Sequence, residues 1–208
     1  HEVLADLGIT DVTLIGVALF PLILLVTTFA GEGLRLWMGP EVADRSAIVL
    51  QVLAIGVFCN GLAQVPFYLI QGAGRPSVAA LLQVAEFPLY LVLAWLLISH
   101  FGIAGAAGAW TIRVAVDGLA MFFLARRERG TRGGTLRPRL QVTLAAAVAV
   151  LGVSLLLSGQ TIGLRAAFVG IATVAFGAVA WHALMNQDER RAVVQLRDVG
   201  MRRLADLW

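Results

Sequence analysis

Two long apolar runs of this chain contain charged residues, and this combination limits the fold more than any other feature. Glu86 lies in the run 78–98, and Arg113 and Asp117 lie in the run 103–125. Each run has about the 20 apolar residues that a helix needs to cross a bilayer. Three unpaired charges at the bilayer centre would cost on the order of 8–10 kcal/mol. The sequence therefore predicts a membrane protein with a polar interior, which is typical of transport pathways.

The composition of the chain agrees with a membrane protein and excludes several other classes. Hydrophobic residues make up 59% of the chain and charged residues only 14%, which is unlike a soluble domain. The one cysteine, Cys59, rules out an internal disulfide and a cysteine-based zinc site. The arginines flank apolar runs and do not form a patch interleaved with aromatic residues, so we exclude nucleic acid as a partner. Because the chain begins at His1, we expect it to be part of a longer protein.

Six stretches are predicted to cross the membrane, and together they form an all-α integral membrane bundle over residues 1–185. The predicted spans are about 12–30, 46–70, 77–98, 103–125, 140–158 and 162–185. Turn-forming residues separate them, for example Gly39-Pro40 and Gly102. Residues 186–208 are predicted to form a cytoplasmic amphipathic helix on the anionic inner leaflet, with a disordered basic tail as the alternative.

The distribution of arginine predicts the orientation of the bundle. Connections on one side, with the carboxy-terminal tail, hold 12 of the 16 basic residues: Arg75, Arg126, Arg127, Arg129, Arg132, Arg137, Arg139, Arg190, Arg191, Arg197, Arg202 and Arg203. Connections on the other side hold Arg35, Arg45 and Arg165. Because arginine is enriched in cytoplasmic loops, the first side is predicted to be cytoplasmic. Both ends of this segment then lie in the cytoplasm, as six crossings require.

The three charges inside the spans are predicted to form one cluster. Counting about 1.5 Å per residue places Glu86 and Arg113 at nearly the same depth of a core about 30 Å thick. Asp117 follows Arg113 by four residues, on the same helical face. We expect a Glu86–Arg113–Asp117 cluster with a net charge of −1 that lines a substrate or ion pathway. The alternative is a structural ion pair that locks two helices together and never contacts substrate.

Other polar residues could extend this pathway. Arg75 lies in a glycine-rich turn, where its guanidinium could bind a phosphate with two hydrogen bonds; the alternative is an arginine that only sets topology. Asn60, Gln64 and Gln71 follow one helical stripe, so their amides could bind sugar hydroxyls or, equally, neighbouring helices.

The sequence offers little support for catalysis or a cofactor. His100 and His182 lack metal-ligand spacing, and no nucleophile–base pair, phosphate-binding loop or dinucleotide fingerprint is present. We therefore expect no enzyme activity, no metal site and no cofactor.

Several segments together resemble the polysaccharide flippases of the multidrug/oligosaccharidyl-lipid/polysaccharide exporter superfamily. They are LWMGPEVA (36–43), VLAIG (52–56), LAQVP (62–66), QGAGRP (71–76), EFPLY (86–90), GIAGAA (102–107) and AWTIR (109–113), followed by Asp117. The resemblance covers about residues 15–127, and beyond them only the pattern of helices is similar.

The resemblance implies a transporter of 12–14 helices in two lobes, of which this chain would be one lobe at the carboxy-terminal end. Such proteins move undecaprenyl-pyrophosphate-linked oligosaccharides across the bacterial inner membrane by alternating access. The implied partners are the lipid-linked oligosaccharide, the lipid bilayer and the missing amino-terminal lobe. Arg113 and Arg75 would bind phosphates, and the carboxylates would couple transport to protons or sodium ions.

Two other functions remain open from the sequence. A drug or metabolite antiporter of the same superfamily would bind cations, so Glu86 and Asp117 would matter more than Arg113. A six-helix scaffold subunit of a polysaccharide synthase would translocate nothing. An integral-membrane enzyme is a weaker third alternative, because few catalytic groups converge.

Overall fold

The computed structural model describes residues 2–128 and 138–180, and their fold is helical throughout. The α-helices are α1 (Glu2–Met38), α2 (Pro40–Gly72), α3 (Pro76–Glu128), α4 (Pro138–Leu156) and α5 (Ile162–Val179). A single 3₁₀ turn, Leu157–Gly159, connects α4 to α5. No strand occurs within the two described ranges, which confirms the all-α prediction for this part of the chain. The predicted tail 186–208, the end of the predicted span 162–185 and most of the arginine-rich connection 126–139 lie outside the described residues.

The turns that the sequence predicts at 38–40 and 72–76 are present, and glycine makes both of them. Gly39 has a φ of +89°, and its N–H donates to the carbonyl of Arg35 over 3.2 Å. Gly74 has a φ of +77°, and the next N–H, that of Arg75, donates to the carbonyl of Ile70 over 3.3 Å. These are the glycine-dependent ways in which helices end. A proline then occupies the first position of the next helix in each case, as proline favours.

α3 is two antiparallel helices joined at Gly102. The residue has a φ of 58° and a ψ of −133°, which lie outside the helical region. We call the part before it α3a (76–101) and the part after it α3b (103–128). A Cβ added to Gly105 would overlap the carbonyl of Leu97 and lie 2.9 Å from the backbone nitrogen of Ile98. Residues eight apart lie about 12 Å apart along a straight helix, so this approach shows that the chain folds back on itself.

The core of the bundle forms around α1. Phe20 is fully buried; its ring stacks on Phe176 of α5 at 4.1 Å and meets Phe58 of α2 edge-to-face at 6.2 Å. Leu24 of α1 and Leu151 of α4 complete this cluster. A second, smaller cluster of Ile70, Ala79 and Met121 joins α2 to both halves of α3. α1 therefore holds α2, α4 and α5 together, whereas α3 packs on α2.

The outer surface of the bundle is apolar, as lipid contact requires. Leu81 and Trp95 on α3a, and Ile171 and Val174 on α5, are 70–73% exposed. Within the described residues, four helical stretches are long and apolar enough to cross a membrane: Ile15–Met38, Pro40–Gly72, Pro76–Leu124 and Ile162–Val179. Because a lipid-embedded helix satisfies all its backbone hydrogen bonds internally, this is the architecture of an all-α, multi-pass membrane protein. The count of six crossings stays a prediction.

Candidate functional site

The fold-back at Gly102 places the three predicted intramembrane charges in one groove between α3a and α3b. Glu86 lies about 24 Å along α3a from Gly102, and Asp117 lies about 22–23 Å along α3b. Arg113 is about one turn nearer to Gly102, where its Cζ lies 5.3 Å from the ring centroid of Tyr90. Glu86 is thus level with Asp117. The sequence analysis predicted it at the depth of Arg113, which is about one turn away. The difference arises because the reversal occurs within a single residue, so no loop offsets the two halves.

The charges of this groove interact without pairing. Glu86, Arg113 and Asp117 are all half-buried. The Glu86 carboxyl is close enough to interact electrostatically with both other charges. The ion pairs found within the described residues nevertheless join other side chains. Glu86 Oε2, Arg113 Nε and Asp117 Oδ1 are buried atoms with no hydrogen-bond partner in the protein.

Unpartnered buried polar atoms are rare in proteins, and they call for an explanation. Here three of them converge on one groove, where a guanidinium can donate hydrogen bonds and two carboxylates can accept them. The apolar cluster of Ile70, Ala79 and Met121 lies next along the groove toward the 72–76 turn. The groove therefore brings together one donor and two acceptors with unused hydrogen-bonding capacity, which a charged ligand, a cation or a proton could satisfy.

The other predicted pathway residues lie apart from this groove. Arg75 is exposed in the turn between α2 and α3a, about 16 Å along α3a from Glu86. Asn60 and Gln71 are exposed and Gln64 is half-buried, so this amide stripe lies on the open side of α2. None of the hydrogen bonds found within residues 15–124 joins the amides to the groove. The structure brings together Glu86, Arg113 and Asp117, and not the other four.

A second charged site was missed by the sequence analysis. Arg165 of α5 is only 3% exposed, and its guanidinium forms a two-pronged ion pair with Glu32 of α1; the Nη2–Oε2 distance is 3.0 Å. The Arg165 Cζ also lies 5.1 Å from the ring centroid of Phe29. The sequence analysis counted Arg165 among the arginines of the outer connections, but the structure buries it between helices. The sequence did contain a signal for this burial. Arg165 follows the helix-capping Thr161 by four residues, so it lies inside the apolar helix α5 and not in the connection before it.

Buried hydrogen bonds around Thr27 of α1 lie next to this second site. Gln51 Nε2 donates to the carbonyl of Thr27 over 2.7 Å, and Ser154 Oγ donates to Thr27 Oγ1 over 2.9 Å. Thr27, Gln51 and Ser154 are buried. Thr27 thus contacts α2 and α4, and Glu32, five residues later on α1, contacts α5.

Comparison with known proteins finds a relative named as a transporter. Over 107 residues the chain is 37% identical to a curated protein of Shigella flexneri that carries the name "Putative O-antigen transporter". The match covers 51% of this chain and 26% of that relative, so the chain corresponds to only a part of it. No family model and no solved structure matches the chain. This all-α membrane bundle is accordingly similar, over about half its length, to part of a protein named as a putative O-antigen transporter.

Proposed function

We propose that this chain forms the carboxy-terminal portion of a flippase that moves undecaprenyl-pyrophosphate-linked oligosaccharide across the bacterial inner membrane. The similarity to the Shigella flexneri protein supports the substrate class. The observation that carries the proposal is the groove between α3a and α3b, where three charged side chains in apolar helices each keep one buried atom without a hydrogen-bond partner. A purely structural charge cluster would be expected to satisfy its own hydrogen bonds.

The chemistry of the substrate fits these groups. A pyrophosphate needs guanidinium donors, which Arg113 supplies in the groove, and Arg75 would meet an incoming pyrophosphate at the 72–76 turn. The amides of Asn60, Gln64 and Gln71 are suited to sugar hydroxyls. Glu86 and Asp117 would couple transport to protons or sodium ions.

The proposed topology has six crossings, with α3a and α3b as separate spans and both ends of the segment in the cytoplasm. The arginine bias supports this orientation. Alternating access then requires an amino-terminal lobe that closes against this bundle on either side of the membrane.

Loss of surface polysaccharide tests the proposal. The protein that carries this chain is expressed in a strain that lacks its own O-antigen transporter, and O-antigen at the cell surface is measured. We expect Arg113→Ala to abolish the signal at normal protein level, and Arg113→Lys to restore only part of it, because lysine lacks the guanidinium fork. Arg45→Ala is the matched control, because that arginine is exposed and forms an ion pair with the equally exposed Glu41. A normal surface signal from Arg113→Ala would refute the assignment of the groove.

One observation favours a second function. Glu86 and Asp117 face each other at one level, and two neighbouring carboxylates suit a cationic substrate better than a phosphate. A cation antiporter would therefore lose transport in Glu86→Gln and Asp117→Asn while tolerating Arg113→Ala. Binding of an organic cation, measured against a lipid-linked oligosaccharide, discriminates between the two functions.

A further inference from the structure

We propose that residues 29–33 of α1 form a hinge and that the Glu32–Arg165 ion pair is a latch holding the end of α1 against α5. The latch lies at the end of the bundle where the chain turns at 38–40 and at 157–161. Its release would let the last two turns of α1 move away from α5 and admit water to the level of Thr28. This inference rests on the geometry of α1 and α5 and does not depend on the proposed substrate.

The hinge is visible in the backbone of α1. Phe29 has a φ of −114° and a ψ of 19°, so the helix is interrupted there. Gly31 and Gly33 follow within one turn, and glycine weakens a helix because it gains the most backbone freedom outside it. A Cβ added at Gly33 would have nothing within 4 Å, whereas one at Gly31 would lie 3.9 Å from the Cβ of Ala47, so this segment is open at Gly33 and packs on α2 at Gly31. Pro21 lies too far back along α1 to explain this interruption, because a proline disturbs the turn preceding it.

Packing differs on the two sides of Phe29. Before it, α1 is held by the Phe20–Phe176 stack and by the Thr27–Ser154 hydrogen bond, all of them buried. After it, the described link between α1 and α5 is the ion pair of Glu32 with Arg165. The Glu32 side chain is 42% exposed, so water can replace its contact to Arg165 without a large apolar surface being uncovered. Toward α5, the segment before Phe29 is thus held by buried contacts, and the segment after it is held by a pair that water can open. Toward α2, the later segment is also held by the Arg35–Asp44 pair, so it would move together with that end of α2.

Two buried polar atoms beside the hinge have no partner in this arrangement. They are Thr28 Oγ1 and Arg165 Nε, and no hydrogen bond within the protein reaches either of them. Thr28 itself is fully buried. A helix segment that alternates between two positions is expected to leave some polar atoms without hydrogen bonds in one of them. Motion at Phe29 would bring water to Thr28 Oγ1 and Arg165 Nε. Thr28 therefore provides a reporter of the open arrangement.

Cysteine accessibility tests the latch. Thr28→Cys is introduced into the protein that carries this chain, in a background without other cysteines, and its labelling rate by a membrane-impermeant maleimide is measured. We expect slow labelling with the latch intact and about tenfold faster labelling when Arg165→Ala is added, within the range of typical couplings between sites. Arg45→Ala is the matched control, because it breaks the exposed Arg45–Glu41 pair within α2 at the same end of the bundle and is expected to leave the rate unchanged.

A second variant keeps the test decisive if Arg165→Ala fails to accumulate in the membrane. Glu32→Gln keeps a hydrogen-bond acceptor toward Arg165 and removes only the charge, so it should accelerate labelling by a smaller factor. The charge exchange Glu32→Arg with Arg165→Glu should return the rate toward that of the intact latch. Unchanged labelling in both Arg165→Ala and Glu32→Gln, or equal acceleration by Arg45→Ala, would overturn the latch. Loss of O-antigen transport in any of these variants has no bearing on this result, because labelling needs no substrate.

Discussion

The two charged sites of this bundle differ in how their charges are satisfied. Arg165 is buried more deeply than any charge in the α3 groove, yet its guanidinium is paired with Glu32 by two hydrogen bonds. Glu86, Arg113 and Asp117 are only half-buried, and they form no ion pair with one another. The more deeply buried charge is therefore the one with an ion-pair partner, and the half-buried charges are the ones without.

This difference suggests different roles. A paired charge between α1 and α5 contributes to the arrangement of helices, and breaking such a pair is costly because the remaining charge is stranded. Charges that interact only at a distance gain little for the fold, and groups kept in that state tend to occur at functional sites. We therefore expect the Glu32–Arg165 site to contribute mainly to stability and the α3 groove mainly to the proposed transport.

The largest effect is expected from Glu32→Ala. The substitution leaves the buried Arg165 guanidinium without its counter-charge, which should cost about 3 kcal/mol, the lower end of the range for buried pairs because Glu32 is partly exposed. Unfolding of the purified protein in detergent measures the loss, and Glu86→Ala is the matched control. If both alanine variants lose the same stability, pairing is not what distinguishes the two sites.

Much of the α3 groove follows from the sequence because its determinants are local. Gly102 marks the reversal of the chain. In a tight helical hairpin, residues at equal distances from that reversal along the two helices lie opposite each other. Arg113 and Asp117 share a helical face through their spacing alone. Even the error in the level of Glu86 is small, because it reflects only the length assumed for the turn.

The Glu32–Arg165 site could not be derived in this way. Its partners lie 133 residues apart in the chain, and Ser154 lies 127 residues from Thr27. Nothing local fixes which face of α5 meets α1; the packing of Phe20 on Phe176 does so. An arginine near a helix end looks the same in sequence whether it faces water or a carboxylate.

A smaller effect is expected when the α3 hairpin is opened without changing any charge. In Gly105→Ala, the new methyl group overlaps the Leu97 carbonyl, so α3a and α3b must separate at a cost of about 1–3 kcal/mol. Gly108→Ala is the matched control, because its Cβ would lie 3.4 Å from the flexible Leu97 side chain. If the groove acts through its geometry, transport should fall in Gly105→Ala and persist in Gly108→Ala. Equal transport in both would show that the spacing of the halves is unimportant.

Neutralising one charge of the groove should separate stability from transport. Glu86→Gln removes a carboxylate that has no ion-pair partner among the described residues, so the free energy of unfolding should change by no more than about 1 kcal/mol. Transport, measured as surface O-antigen, should fall nonetheless. A loss of stability comparable to that of Glu32→Ala would place Glu86 among the charges that hold the fold.

The smallest effect is expected at the exposed Arg35–Asp44 pair, which provides a reference for both sites. Its Nη2–Oδ1 distance is 2.7 Å, and both side chains are more than 60% exposed. Asp44→Asn should therefore change the free energy of unfolding by no more than about 0.5 kcal/mol, and the change should shrink as salt is added. The Arg35–Asp44 contact is no longer than the 3.0 Å contact between Arg165 Nη2 and Glu32 Oε2. These two ion pairs therefore differ chiefly in how deeply the arginine is buried. If Asp44→Asn lowered the free energy of unfolding as much as Glu32→Ala, hydrogen-bond geometry alone would set the contribution of an ion pair to stability in this bundle. The difference between the Glu32–Arg165 site and the α3 groove would then need another cause.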